Sequence, residues 1–332
     1  FFQSIFFSMI DVDKGVKFKM IIPPKISKST SLNIVGEKKT NYIFRKIKSL
    51  AKNVIYIKHS KSKQKNILFE KNSQKEKLSF FKPLVRDELS DNQFNLRLID
   101  HNSKLLKSAQ TLRYISFFDG KKICKKKIDI DIYDKFSEHL VVTDKLKSKN
   151  KVIGTYRLLT KDMMPSNFDF YTSSEFDISK LKKFTSNILE VGRSCVDKSY
   201  RNGRIIKLLW RGLAREIVVR NIEIVIGCAS FPTTDQDQII EELSYLKHYH
   251  SPPKNFDTLP VDSKALQFQI LSKKKLNSKR IFKRLPPLIK AYIRTGAWFG
   301  SGAVVDREFK TIDVCVVLKT LNIRKKYLEL GN

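Results

Sequence analysis

The chain has 332 residues, 41% of them hydrophobic, enough to fill one large core or two ordinary ones. Its formal charge of +32 comes from 65 basic against 33 acidic side chains; with 49 lysines to 16 arginines, it fits either an acidic partner or surface or a plain compositional bias to lysine, and lacks the Arg-led contacts of a nucleic-acid reader. Cys124, Cys195, Cys228 and Cys315 form no CxxC pair and no apolar run reaches about 18 residues, which argues against a disulfide framework, a zinc site or a spanning helix.

The opening "FFQSIFFSMI" is apolar, short and without a basic stretch before it, so it reads as a gene-model remnant rather than an interfacial anchor. Residues 1–90 carry 20 basic against 7 acidic side chains and no sustained period. They are expected to be a mobile basic extension, with Asn53 to Ile57 able to form a strand, ahead of one domain over 91–332.

From Phe94, "FNLRLID" alternates as a strand does, and "SKLLKSAQTLRYISFF" predicts a helix behind a Ser103 cap. "EHLVVTD" and "KVIGTYRLL" predict a hairpin that turns around Lys145 to Asn150. A strand over Asn187 to Val196, a loop over Asp197 to Gly203, a helix over Arg204 to Arg220 and a strand over Ile222 to Ser230 make a βαβ unit. Thr234 is expected to cap the next helix, the tandem prolines of "RLPPLIKAYIRTG" suit a first turn, and "GAVVDREFKTIDVCVVL" predicts two strands around a turn. The fold class is a mixed α/β sheet; no GxGxxG follows the first strand, which argues against a doubly wound nucleotide fold.

Chemistry concentrates in "EVGRSCVDKSYRNGRIIKLLWRGLA", Glu190 to Ala214. A helix N-terminus offers unpaired N–H groups and partial positive charge, so Arg201, Gly203 and Arg204 make a candidate anion site. Arg204, Lys207, Arg211 and Arg215 recur every three or four residues, largely apart from Ile205, Leu208, Leu209 and Ile217, which is either a wet face or a dock for an acidic partner. Glu190 and Arg193 point to opposite faces of a regular strand; a bulge at Gly192 would let both border one cleft, with Glu190 placed to take a proton from an amine.

These segments, with "IGCASFPTTD", "FDISKL", "HLVVTD", "VIGTYRLL" and "GAWFGSGAVVDREFKTIDVCVVL", resemble the L-ornithine Nα-acyltransferases of the GNAT superfamily over roughly Phe94 to Leu330. The resemblance implies a GNAT-like fold with splayed central strands. It also implies transfer of a 3-hydroxy fatty acyl group from acyl carrier protein to the α-amine of ornithine, with the phosphopantetheine thioester as co-substrate and no permanent cofactor or metal. It places the pantetheine arm along Val191, Gly192 and Val196, and its phosphate at Arg201, Gly203 and Arg204. Arg204 stands where the wider superfamily has a glycine, which favours carrier-protein thioesters.

Within that resemblance Glu190, Arg193 and Ser230 are the catalytic candidates, and Lys207, Arg211 and Arg215 the carrier-protein dock. Glu175 and Asp177 are candidates for the ornithine ammonium, Arg113 and Arg157 for its carboxylate; Asp177 as a helix cap and Arg157 as a cross-strand partner are the plainer alternatives. His248 and His250 lack a third ligand for a metal. A cytoplasmic protein with peripheral contact to an anionic membrane is expected. Three other readings stay open: an acyl-homoserine-lactone synthase, an N-acyltransferase for another amino acid, and a basic membrane- or nucleic-acid-binding module.

Overall fold

In the computed structural model, residues 6–10, 17–21, 92–118 and 127–323 are described. Two contact units, 1–66 and 67–332, divide the chain. In the first, β1 (Phe6–Ile10) pairs antiparallel with β2 (Lys17–Ile21), Phe6 opposite Ile21. Residues 6–10 of the opening segment thus form a strand; Asn53 to Ile57, most of the expected extension, and Cys124 lie outside the described residues.

The second unit is built on a mixed sheet. Its first strand, β3 (Phe94–Ile99), pairs antiparallel with β4 (Glu138–Asp144), which turns back through Lys145 into β5 (Ser148–Thr160). The expected hairpin is present, with β5 starting earlier than the apolar pattern does. The order continues with β7 (Ile188–Val196), β8 (Ile224–Phe231), β12 (Thr311–Lys319) and β10 (Trp298–Phe299), while β11 (Val304–Asp306) pairs off the path with β12. A separate two-stranded piece joins β6 (Phe176–Asp177) to β9 (Leu259–Pro260).

Period-2 alternation sends β4 side chains to two helices. Leu140 and Val142 join the core packed with Leu208, Leu209 and Leu213 of α3 (Arg204–Val219), whereas Val141 packs with Leu105, Ala109 and Leu112 of α1 (Lys104–Phe118). The Ser103 hydroxyl accepts from the Leu105 N–H, as its cap position predicts. The other helices are α2 (Ser179–Phe184), α4 (Ile240–Tyr249), α5 (Ser278–Arg284) and α6 (Pro287–Thr295), the last opening on proline as expected. One cap differs from expectation. Asp235, not Thr234, receives the Asp237 N–H at 3.0 Å and starts a 3-10 turn, because the Thr233 hydroxyl already binds the Asp235 N–H. Cys195 and Cys315 are buried and Cys228 half-buried, all three free thiols.

The functional consequence lies in the middle of the sheet. The α3 crossover makes β7 and β8 parallel, yet they pair only through Ile188–Ile224, Leu189–Val225 and Glu190–Ile226. Beyond Glu190 the two strands run on unpaired to each other. On its other edge β7 carries a bulge: Gly192 opposes Arg157 and Cys195 opposes Thr155, so Arg193 and Ser194 face a single residue. Arg193, rather than Gly192, takes the left-handed backbone, with φ 50°.

Gly227 sits where the two strands part. A Cβ there would lie 2.3 Å from the Val191 carbonyl oxygen, a backbone atom that cannot swing away. Gly227→Ala is expected to cost about 1–3 kcal/mol of stability in urea unfolding, the ordinary scale of an overpacked site.

Candidate active site at the splayed strands

The gap between β7 and β8 opens into a cavity of about 420 Å³. Glu190 to Ser194 form one wall, Cys228, Ser230 and Asp313 the facing one, and Phe309 and Lys310 stand at the mouth. Tyr156 and Tyr292 join their hydroxyls at its base.

A buried charge cluster holds the β7 wall. Arg113, with its side chain fully buried, donates through Nε to Asp129 at 2.6 Å and through Nη1 and Nη2 to Asp134 at 2.7 and 3.0 Å. Arg157 donates to Asp131 at 2.6 Å and to Asp134 at 3.2 Å. Arg193 donates to Asp131 at 2.9 Å, lies 3.3 Å from Asp129, and stacks over the rings of Tyr171 and Phe309. Three guanidiniums thus meet three carboxylates. Burial alone would raise the Asp134 carboxyl, but the Arg113 and Arg157 guanidiniums outweigh it and hold it far below the usual range. Burial pushes the neighbouring His139 down to about 3, so that imidazole is neutral.

The cluster corrects two expectations. Arg113 and Arg157 are committed to aspartates inside the fold, which removes both as partners for an acceptor carboxylate. Asp129, Asp131 and Asp134 went unread in the sequence; the signal available was the alternation "IDIDIYD" directly after a lysine run.

Glu190 is buried beside Arg193, as a bulge permits, but its oxygens face the start of a short 3-10 turn. Oε2 accepts from the Tyr171 N–H at 2.9 Å; Oε1 accepts from the Thr172 N–H at 2.6 Å and its hydroxyl at 2.5 Å. Burial raises its pKa against these bonds. Ser230 is exposed on the cavity wall.

Opposite stand Glu175, Asp306 and Asp313, which each offer a carboxylate oxygen within 4.8 Å of the others. The Tyr171 hydroxyl donates to Glu175 at 3.1 Å and lies 3.5 Å from Asp306. Burial, then the Asp313 charge, pushes the Glu175 carboxyl up to about 7. Asp177 is not part of this group. It is exposed, and its Oδ1 accepts from the Ser179 N–H at 2.8 Å, a local turn bond just ahead of α2, whose N-cap is Ile178 and carries no side-chain cap. Nor do the histidines converge: His248 bonds the Leu271 carbonyl and His250 the Tyr245 hydroxyl.

At the far end of β7, Gly203 has φ 89° and starts α3. Arg201, exposed, donates to the Val196 carbonyl at 3.0 Å, while the Arg204 guanidinium lies over the Phe94 ring and donates to Gln93. These three residues lie outside the cavity lining, whereas Val191 and Gly192 belong to it and half-buried Val196 ends the strand between them. Lys207 is exposed and Arg211 half-buried. Arg215 is half-buried and ion-paired with Glu216 at 2.5 Å, so the open basic face narrows to the first half of α3.

Residues 112–211 match the acetyltransferase (GNAT) domain family. The L-ornithine N(alpha)-acyltransferase of Agrobacterium fabrum is 36% identical over 239 residues, 69% of this chain and 82% of that protein. Its counterpart from Rhodobacter capsulatus is 33% identical over 248 residues, 71% of this chain and 93% of that protein. The chain belongs to the L-ornithine N(alpha)-acyltransferase family. Among solved structures, the CoA-dependent acyl-homoserine lactone synthase MesI aligns with 71% of this chain and 93% of its own at 11% identity and a TM-score of 0.38.

Two variants probe this site's electrostatics. Asp134→Asn leaves Arg113 and Arg157 undercompensated inside the fold and is expected to cost about 3–5 kcal/mol in urea unfolding. Glu175 faces Asp313, Asp306, Tyr171 and Cys228, and its folded pKa lies above its ordinary value of 4.5. The folded state therefore keeps a proton that the unfolded chain releases, and stability falls as pH rises from 4.5 towards 7. Glu175→Gln is expected to match the wild-type Tm at the low end of that window and to exceed it above the high end, measured by thermal unfolding across pH.

Proposed function

We propose that this protein transfers a 3-hydroxy fatty acyl group from the phosphopantetheine thioester of acyl carrier protein to the α-amine of L-ornithine, yielding a lyso-ornithine lipid. The observation that carries the reading, within this family, is the loss of β7–β8 pairing beyond Glu190 and Ile226, which opens a slot through the sheet for a thioester arm. Backbone amides of β7 near Gly192, where the strand bulges and lines the cavity, are the candidate donors to a developing oxyanion.

The neutral α-amine attacks the thioester carbonyl; the C–N bond forms, the C–S bond breaks, and the amine's proton passes to the departing thiolate. Glu190 acts here as a positioning residue, because its oxygens fix Tyr171 and Thr172 at the cavity. Ser230, exposed on the facing strand, is the candidate donor to the thiolate. Exposed Lys310 at the mouth suits the acceptor carboxylate, in place of Arg113 and Arg157.

The pantetheine phosphate is assigned to the Gly203 end of α3 with Arg201 and Arg204. Lys207, with Arg211, offers positive charge to an acidic carrier protein, and the net +32 also suits the anionic membrane surface that would receive a lipid product.

Mass spectrometry of purified protein with ornithine and a 3-hydroxyacyl carrier protein is expected to show the lyso-lipid. A product formed only with S-adenosylmethionine as acceptor would support the homoserine-lactone reading instead. Lys207→Glu is expected to raise the KM for the acyl carrier protein by about fivefold, and less at high salt, with kcat little changed.

A further inference from the structure

We infer that Glu175, Asp306 and Asp313, closed on one side by the Tyr171 hydroxyl, form the subsite for the side-chain ammonium of a diamino-acid acceptor and so exclude neutral amino acids. The inference rests on the acyl-transfer reading above and adds how the acceptor is chosen.

The three carboxylates converge within 4.8 Å, and Asp306 and Asp313 line the cavity that contains the Arg193 bulge. Glu175 and Asp313 are only 3% and 5% exposed, yet Glu175 Oε2 and Asp313 Oδ1 have no hydrogen-bond partner. Buried carboxylate oxygens left in that state are costly, and the fold does not relieve them. Among the described residues no lysine or arginine lies within ion-pair distance of the three. The nearby guanidiniums are already committed, Arg193 to Asp129 and Asp131 and Arg157 to Asp131 and Asp134. Burial, and then the neighbouring carboxylate charge, raises Glu175 and Asp313, so protons offset the crowding there; a ligand cation would supply the charge that lets the carboxylates ionise.

An alkylammonium matches the vacancy in number and kind, since its three N–H donors can meet three carboxylates. Asp306 is already fixed for this: its Oδ1 accepts from the Glu308 and Phe309 N–H groups, which leaves Oδ2 towards Tyr171. The Tyr171 ring in turn lies beneath the Arg193 guanidinium, so the bulge and the acidic subsite share one side chain. An acceptor whose α-amine reaches the bulge can thus present a second amine to the carboxylates. A neutral side chain of the same length leaves them unpaired, the condition under which a polar site rejects an analogue most strongly.

The test compares ornithine with norvaline, the same five-carbon amino acid without its side-chain amine, using 3-hydroxyacyl carrier protein and the full chain in EDTA. Wild-type kcat/KM is expected to favour ornithine by at least about 100-fold. Glu175→Gln, Asp313→Asn and their double variant, each checked for a Tm no lower than that of the wild type, are expected to shrink the ratio stepwise to within about threefold. Equal use of both acceptors, or a ratio untouched by the double variant, overturns the subsite and leaves acyl transfer standing. Selectivity present without EDTA and lost with it assigns the cluster to a divalent cation and also overturns the inference. If neither acceptor is acylated, the acyl-transfer reading fails separately. Calorimetric titration without a donor then still decides the subsite: ornithine binding that norvaline lacks and Glu175→Gln abolishes supports it, and equal binding overturns it.

Discussion

A guanidinium held at a left-handed residue organises the centre of this protein. Arg193 has φ 50°, a backbone state that non-glycine residues adopt only under constraint. The constraint is visible: Asp129 and Asp131 grip the side chain from the loop before β4, and the rings of Tyr171 and Phe309 cover its faces. Asp131 and Asp134 then tie the same loop to Arg157 on β5, and Asp129 and Asp134 tie it to Arg113 on α1. Because each charge is buried among partners, none can be removed singly without stranding another. The bulge, the cavity wall and the Tyr171 turn are consequently one electrostatic unit.

That unit explains an apparent contradiction in the charge distribution. The chain carries a large excess of lysine, yet its central cavity gathers Glu175, Asp306 and Asp313. Positive charge resides on exposed side chains such as Lys207 and Lys310, where water solvates it cheaply. Inside, Arg113, Arg157 and Arg193 are matched to Asp129, Asp131 and Asp134, while among the described residues no lysine or arginine pairs with Glu175, Asp306 or Asp313. Net charge therefore described the exterior and misrepresented the interior.

Much of the architecture was legible because its signals are local. Strand alternation at Phe94, the turn after Asp144, the Ser103 cap and the proline at the start of α6 are decided by a few neighbouring residues. The βαβ unit and the left-handed glycine at the start of α3 were readable for the same reason. The cap at Asp235 was missed by one residue, since Ser, Thr and Asp compete within such a turn and a hydroxyl at Thr233 decides the contest. The polar interior was not legible. Arg113 and Arg157 looked available because their aspartates are 16 to 26 residues away in a stretch whose alternation does not say which arginines it meets, and the Glu190 oxygens find their donors 18 and 19 residues upstream. Such pairs are set by the closing of the sheet, which no spacing rule encodes.

The three-residue parallel contact between β7 and β8 has a mechanical meaning. On one side, β3, β4, β5 and β7 form a continuous antiparallel ladder; on the other, β8, β12, β10 and β11 form a second. The second unit's sheet is in effect two half-sheets joined by a short seam and strapped by α3. A guest entering the open end of that seam meets no rung of either ladder, because the two strands share no backbone pair beyond Glu190 and Ile226. Besides the three backbone pairs and the helix, the Tyr156–Tyr292 hydroxyls, the Arg193 guanidinium over the Phe309 ring and the Phe118–Phe309 stack tie the two halves, so the width of the slot is set by side chains as much as by the seam.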